Sequence, residues 1–263
     1  MNKYEIVKRI ENFAPIETAE SWDCVGFMAE TKKVDINKIM LCLTPTNDVI
    51  KQALAQNCDM IISHHPMFEI NCHSELVSES FTPKIDIYSA HTNMDLAYGG
   101  TTDTLIKTFI DIFNKKNYPS PEFVNSQSSL TNSSLSLKGR GEREADFVRY
   151  IEFEDFVELD KITNILRKIS PNLRYVNNNR IERVKKIGFC AGSGSEFISE
   201  AQTQGADCFV TGDLKFHTAL DSELVVFDIG HFESEILILP VFEKIIGDGV
   251  EIVYANESSP FIV

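Results

Sequence analysis

The chain has 263 residues, 43% of them hydrophobic and 10% aromatic, which is apolar material for one large core or two ordinary ones and excludes a disordered chain. A formal charge of −14 repels nucleic-acid phosphates and anionic membrane surfaces, and so speaks against either as a partner. Six cysteines without a CxxC pair, no long apolar run at the N-terminus and no segment near the ~20 apolar residues that cross a bilayer predict a soluble, cytoplasmic protein with reduced thiols.

In chain order, Tyr4, Ile6, Val7, Ile10 and Phe13 recur at helical spacing and predict an amphipathic first helix over 3–13. A strand follows near 38–44, a helix near 47–57, a strand at 59–63, a strand at 85–90 and a helix at about 103–114. The irregular stretch 71–84, which includes His73, reads as a surface insertion and His73 as ordinary surface. From 119 to 145 the composition turns to Ser, Asn and then alternating charge, which marks a linker. The pattern then resumes with a strand at about 146–153, a helix at 158–169, a strand at 184–190, a helix at 195–204 and a strand at 207–211. A strand at 224–229, a helix at about 233–246 and a strand at 250–254 complete the chain. Such alternation predicts an α/β protein of mixed sheets flanked by helices, with a first half over 1–118 and a second over 146–263.

The halves resemble one another. Sliding Cys42 to Phe68 by 148 positions lays it without gaps on Cys190 to Phe216, matching Cys42 with Cys190, Ile50 with Ile198, Ala53 with Ala201, Asp59 with Asp207 and Phe68 with Phe216. Each copy reads as strand, turn, helix and a strand ending in polar residues, so the expectation is two similar α/β domains from an internal duplication. The polar ends are Ser63-His64-His65-Pro66 and Thr211-Gly212-Asp213-Leu214. Each half also carries a strand followed by a histidine and an acid four residues on, His91 with Asp95 and His231 with Glu235. One such pair arises readily by chance, whereas two at equivalent places in a repeat argue for a shared purpose.

Imidazole and carboxylate are the donors that suit Zn²⁺, Mn²⁺ or Fe²⁺, and strand ends of an α/β sheet converge where ligands bind. Pro66 forces His65 into an extended conformation at a turning chain, which lets two adjacent imidazoles serve two separate ions. Helical spacing of four puts His231 and Glu235 on one face, ~6 Å apart. A carboxylate bridges two cations better than an imidazole does, so Glu235 and Asp95 are expected to bridge or pair between them. Alone, each of these residues is better explained as core or surface; together they point to metal.

Other features are softer. His217, in Asp213-Leu214-Lys215-Phe216-His217, is a candidate to line the same cleft or carry a proton, and equally to cap a helix. Gly192-Ser193-Gly194-Ser195 and Gly99-Gly100-Thr101-Thr102-Asp103 each precede a helix and could receive an anion, although turn and cap chemistry already explains them.

Five ordered segments resemble the Nif-three-like family, whose members are often labelled GTP cyclohydrolase 1 type 2 homologues. They are Trp22-Asp23-Cys24-Val25-Gly26, Ser63-His64-His65-Pro66-Met67, Ser89 to Asp95 with Gly99-Gly100, Gly205 to Asp213, and Gly230 to Glu235. The resemblance covers nearly the whole chain outside 71–84 and the linker. It implies a two-domain α/β fold with a dinuclear metal centre in the cleft between the domains, and a homo-oligomer of six subunits in a hollow toroid. On the matching positions it implies His64, His65, Asp95, His231 and Glu235 as ligands of two divalent ions per subunit, with His91 beside them. Departures are Cys24 in place of a small polar residue, Thr102 in place of Asn, and a linker in place of the additional domain of longer members.

Two functions are weighed. One is a metal-dependent hydrolase acting on a small polar substrate, with a guanine nucleotide suggested by the family label and His91, His217 and Asp213 as candidates for proton transfer. The other is a non-catalytic ring that carries metal or docks other proteins. An open coordination position would mark the first and a closed, fully protein-ligated centre the second.

Overall fold

The computed structural model describes residues 1–67, 84–115, 122–124 and 146–261; the expected 71–84 insertion and 119–145 linker lie almost wholly outside the described residues. The first elements are α1 (Lys3–Phe13), β1 (Gly26–Ala29), β2 (Lys38–Cys42), α2 (Asn47–Ala55), β3 (Met60–Ser63), β4 (Asp86–Ser89), α3 (Thr92–Leu96), α4 (Thr101–Asn114) and β5 (Glu122–Val124). Next come β6 (Arg149–Glu158), α5 (Leu159–Ile169), β7 (Arg174–Val176), β8 (Arg183–Ser193), α6 (Ile198–Thr203), β9 (Cys208–Gly212), α7 (Phe216–Asp221) and β10 (Val225–Asp228). Then follow α8 (His231–Glu235), α9 (Leu239–Ile246) and β11 (Glu251–Tyr254). The chain is α/β with two mixed sheets, as expected.

Two compact units divide it. The first comprises Met1–Thr104 together with Glu235–Val263, and the second Leu105–Ser234. This differs from a division into consecutive halves, because β11 returns to pair in parallel with β2, Ile252 opposite Ile39 and Val253 opposite Met40. A local reading of periodicity cannot foresee a pairing made over so long a separation.

In the first unit the sheet order is β1-β4-β3-β2-β11, parallel except for β1. Its central strands are short apolar runs buried on both faces, as parallel strands must be. Ile39, Leu41, Met60, Ile62 and Tyr88 enter a core with Ile6 and Ile10 of α1 and Leu239, Phe242 and Ile246 of α9. Met40, Cys42 and Ile61 point the other way, onto Val49 and Ala53 of α2. The period of two along each strand thus separates two cores. Side-chain caps start the helices on time: Asn2 accepts from the Tyr4 N–H at 2.9 Å, and Thr46 from the Val49 N–H at 3.2 Å.

In the second unit the sheet order is β5-β6-β8-β9-β10-β7, with β8, β9 and β10 parallel and the remaining pairings antiparallel. Phe109 and Phe113 of α4 meet Phe189 and Phe153 at ring-centroid distances of 5.4 and 5.1 Å, and Tyr150, Cys190, Phe209 and Val226 join Ile198 and Ala201 of α6 in a separate core.

The two units share a local pattern at the offset read from the sequence. Ile39 faces Met60 and Leu41 faces Ile62 in the first; Ile187 faces Cys208 and Phe189 faces Val210 in the second. Asp59 accepts from the Asn37 and Lys38 N–H groups at 2.7 and 3.3 Å, and Asp207 from the Lys185 and Lys186 N–H groups at 2.6 and 2.9 Å.

The last predicted helix is broken rather than continuous: α8 passes through a 3-10 turn at Ile236–Ile238 before α9, where Pro240 stands in the first turn and lacks the N–H a continuous helix would use. Cys42, Cys58, Cys190 and Cys208 are free thiols, as expected of them. Among the described residues no helix is long and apolar enough to cross a membrane.

Candidate metal centre

The ends of β3 and β4 set the site in the first unit. Beyond Ser63 the chain leaves the sheet and turns, yet the backbone stays anchored: the His65 N–H donates to the Leu43 carbonyl at 2.8 Å, and the Ser63 and Ser89 hydroxyls donate to the His65 and His64 carbonyls at 2.8 and 2.9 Å. Both imidazoles are buried, with ring centroids 5.0 Å apart. The ring of His91, which precedes α3, lies 5.2 Å from that of His64 and 5.5 Å from that of His65.

Hydrogen bonding fixes how each ring presents itself. His64 Nδ1 lies 3.0 Å from the Ala90 carbonyl, which can only accept, so this nitrogen carries a hydrogen in either protonation state and Nε2 is the position whose lone pair takes a proton or a cation. That Nε2 is buried without a hydrogen-bond partner, 3.5 Å from Asp95 Oδ1 and 3.8 Å from Glu235 Oε1. A lone pair facing two carboxylates is an arrangement of acceptors that requires positive charge, either a proton or a cation. His65 Nδ1 meets the Thr44 hydroxyl at 2.8 Å and its Nε2 meets Glu235 Oε2 at 2.8 Å. A hydroxyl can donate or accept, so Thr44 supports either tautomer of His65.

The electrostatics agree. Burial alone would lower the pKa of His64, but the Asp95 and Glu235 carboxylates override it and lift the group to about 9. Burial dominates at His65 and, despite Glu235, brings it down to about 4, leaving a neutral imidazole suited to ligation. Burial also raises Asp95, against the pull of His64. Asp95 accepts a hydrogen bond from the buried Thr101 hydroxyl, which fixes its carboxylate at the end of α3.

His64, Asp95 and Glu235 offer one donor atom each within 4.8 Å of one another, and so do His64, His65 and His91. Of the residues predicted as ligands, the first unit therefore gathers His64, His65, Asp95 and Glu235, and His91 stands among them. A divalent ion fits this donor set, because it would satisfy the orphaned His64 nitrogen and offset the two carboxylates at once.

His231 starts α8, the helix that ends at Glu235, and its Nδ1 lies 2.7 Å from Asp213 Oδ2. Asp213 adopts a left-handed conformation (φ 53°) directly after Gly212, where a Cβ would come within 2.7 Å of the His231 backbone nitrogen. Asp213 thus orients an imidazole, the role a proton carrier or a ligand's partner requires. His217 is exposed on α7, its ring 5.4 Å from that of the exposed Phe216, and is part of none of these donor groups.

Three supporting residues escaped the sequence reading. Thr44 carries no motif signal, since single threonines near strand ends are common, and Thr101 lay in the Gly99 to Asp103 stretch, which was weighed only for an anion. Asp23 lay inside a quoted motif without a role. Its side chain is almost fully buried, and its Oδ1 accepts from His91 Nδ1 at 2.9 Å and from the Cys24 N–H at 2.7 Å. Its Oδ2 accepts from the Thr92 N–H at 3.0 Å and the Thr92 hydroxyl at 2.6 Å. Burial opposes ionisation of Asp23, but these bonds from His91 and Thr92 hold its pKa well below the usual carboxylate range. Trp22, two-thirds exposed, sets its ring edge to face with His91 at 6.5 Å.

A family model described as Duf34/NIF3 (NGG1p interacting factor 3) matches residues 1–260. The chain is 31% identical to a protein of Clostridium perfringens named GTP cyclohydrolase 1 type 2 homolog, with 99% of each chain covered. It is 29% identical to NIF3-like protein 1 of Drosophila melanogaster over 88% of this chain and 76% of that one. Among solved structures it resembles HcgD from Methanocaldococcus jannaschii, with a TM-score of 0.74, 24% identity and 98% of both chains covered. It also resembles a Bacillus cereus protein related to NIF3, with a TM-score of 0.77, 17% identity and coverage of 100% and 99%.

Proposed function

Since the chain belongs to the Duf34/NIF3 family, we propose that it is a dinuclear metalloprotein acting as a hydrolase on a small polar substrate, with a guanine nucleotide as the first to try. The observation that carries this reading is the buried Nε2 of His64, without a hydrogen-bond partner and facing Asp95 and Glu235. His64, His65, Asp95 and Glu235 are assigned as ligands, with His231, one helical turn before Glu235 in α8, as the fifth. The shared register of β2–β3 and β8–β9 supports an origin by duplication, which would account for a histidine and an acid four residues apart in each half.

When bound, two divalent ions supply Lewis acidity and lower the pKa of water toward ~7. The protein's own groups do the rest. Ala90 and Thr44 hold the imidazoles of His64 and His65 in place, and Glu235, touching His65 with one oxygen and facing His64 with the other, is the natural bridge. Asp213 keeps His231 oriented and Asp23 keeps His91 oriented.

Metal analysis of protein purified without added metal, followed by a hydrolysis screen over nucleotides and phosphoesters, tests the proposal. Two ions per chain are expected, falling to one or fewer in Glu235→Ala and unchanged in His73→Ala. Two ions retained in Glu235→Ala would refute the bridge. Absence of turnover combined with rapid metal transfer to an acceptor would replace the hydrolase with a metal carrier.

A further inference from the structure

The four hydrogen bonds that converge on Asp23 bear on a residue the ligand assignment leaves aside. We propose that Asp23 is a positioning residue that locks His91 in the Nδ1–H tautomer, so that the remaining nitrogen, Nε2, serves as an additional cation ligand beside His64 and His65. The inference rests on the metal reading above and extends its ligand set.

The geometry supplies the reasons. Both oxygens of Asp23 already act as acceptors, Oδ1 for the Cys24 N–H at 2.7 Å and Oδ2 for the Thr92 N–H and hydroxyl, so the 2.9 Å contact of Oδ1 with His91 places the hydrogen on His91 Nδ1. Nε2 is then the lone-pair nitrogen. His64, His65 and His91 offer ring nitrogens within 4.8 Å of one another, a spacing that one cation or two neighbouring ones can share. Asp23 cannot rotate away, because its second oxygen receives both the backbone N–H and the hydroxyl of Thr92, the residue next to His91. Thr92 is itself tied further, its hydroxyl oxygen accepting from the Glu20 N–H at 2.9 Å. Ring and carboxylate are therefore set by the same short stretch of backbone, the arrangement by which a carboxylate fixes the tautomer of a ligating histidine and strengthens its basicity.

The test uses the full chain and zinc. In long-range ¹H–¹⁵N spectra of the unaltered protein, His91 is expected to carry its hydrogen on Nδ1 both with and without zinc, and its Nε2 resonance to move on zinc binding. A hydrogen on Nε2, or an Nε2 resonance indifferent to zinc, would overturn the proposal, and this measurement stands even where a variant fails to fold. Chelator competition should show zinc affinity at one site falling 10–100-fold in Asp23→Asn and at least as far in His91→Gln. The double variant should fall no further than His91→Gln alone, since Asp23 acts through His91. Losses that multiply, or Asp23→Asn within twofold of the wild type, would reject the positioning role. Wild-type protein that binds no zinc would instead defeat the metal reading itself, and this inference with it.

Discussion

Lys3 is fully buried in the first unit, with its ammonium 2.7 Å from the Thr31 carbonyl, 3.2 Å from Glu30 and 3.5 Å from the buried Asp86. Nothing in the local sequence distinguishes this lysine from a solvated one at the start of an amphipathic helix. The sequence pattern of α1 is apolar at Ile6, Val7 and Ile10, and Lys3 occupies the same face one turn earlier. Lys3→Met should destabilise the protein by about 3 kcal/mol, because Asp86 is left charged and unpaired in the interior. Denaturant midpoints check this, and a loss below about 1 kcal/mol would show that the pair is not needed. Asp59 offers the complementary case. Burial raises its pKa, but Lys33 and the Asn37 and Lys38 N–H groups outweigh that and lower it from the ordinary value of 3.8. A depressed folded-state pKa stabilises above the unfolded value and loses its effect as pH falls through the folded one. The advantage of wild type over Asp59→Asn should therefore be full, about 1–2 kcal/mol, above pH ~5 and fade below pH ~4. An advantage that persists at pH 2 would count against it. The residues proposed as ligands stand out in the sequence for a different reason. Adjacent histidines ahead of a proline, and two histidine–acid pairs at a spacing of four, survive in one dimension, whereas Asp23 meets His91 across 68 positions.

Elements with continuous apolar runs were read within a residue or two: β3 and β4 are MIIS and DIYS, and no solvent-facing helix could use such stretches. Short elements were missed. β1, β7, α3 and α7 span three to six residues each, too few for a period to declare itself. Beyond β11 the chain continues to Glu257, whose carboxylate accepts from the Leu43 and Thr44 N–H groups at 2.7 and 3.0 Å. This bond holds the turn from which the Thr44 hydroxyl reaches His65. Glu257→Ala should cost about 2 kcal/mol of stability by stranding two N–H donors, and should weaken zinc binding severalfold by loosening His65. Parallel measurements of unfolding and chelator competition separate the two effects. Unchanged zinc affinity would show that Thr44 keeps its place without the acid.

At the level of the whole molecule, the α/β class, the pair of mixed sheets and the family were accessible from alternation and from five ordered segments. The division into units was not, because it depends on which strand β2 recruits as its outer neighbour. The resemblance also implies assembly, and we expect six copies to associate in solution. Light scattering should return six chain masses, and a monomer at micromolar concentration would reject the ring.

Residues 235–263 belong to the first unit although the whole second unit is encoded before them. On the ribosome the second unit can therefore finish its sheet while the first still lacks an edge strand. The nascent chain holds His64, His65 and Asp95 early, but the carboxylate opposite them only after position 235 has been translated. A cation meeting the partial chain would find an incomplete set of donors, so on the proposed metal reading its capture would be a late event in the life of the polypeptide, coupled to the closing of the first unit's sheet.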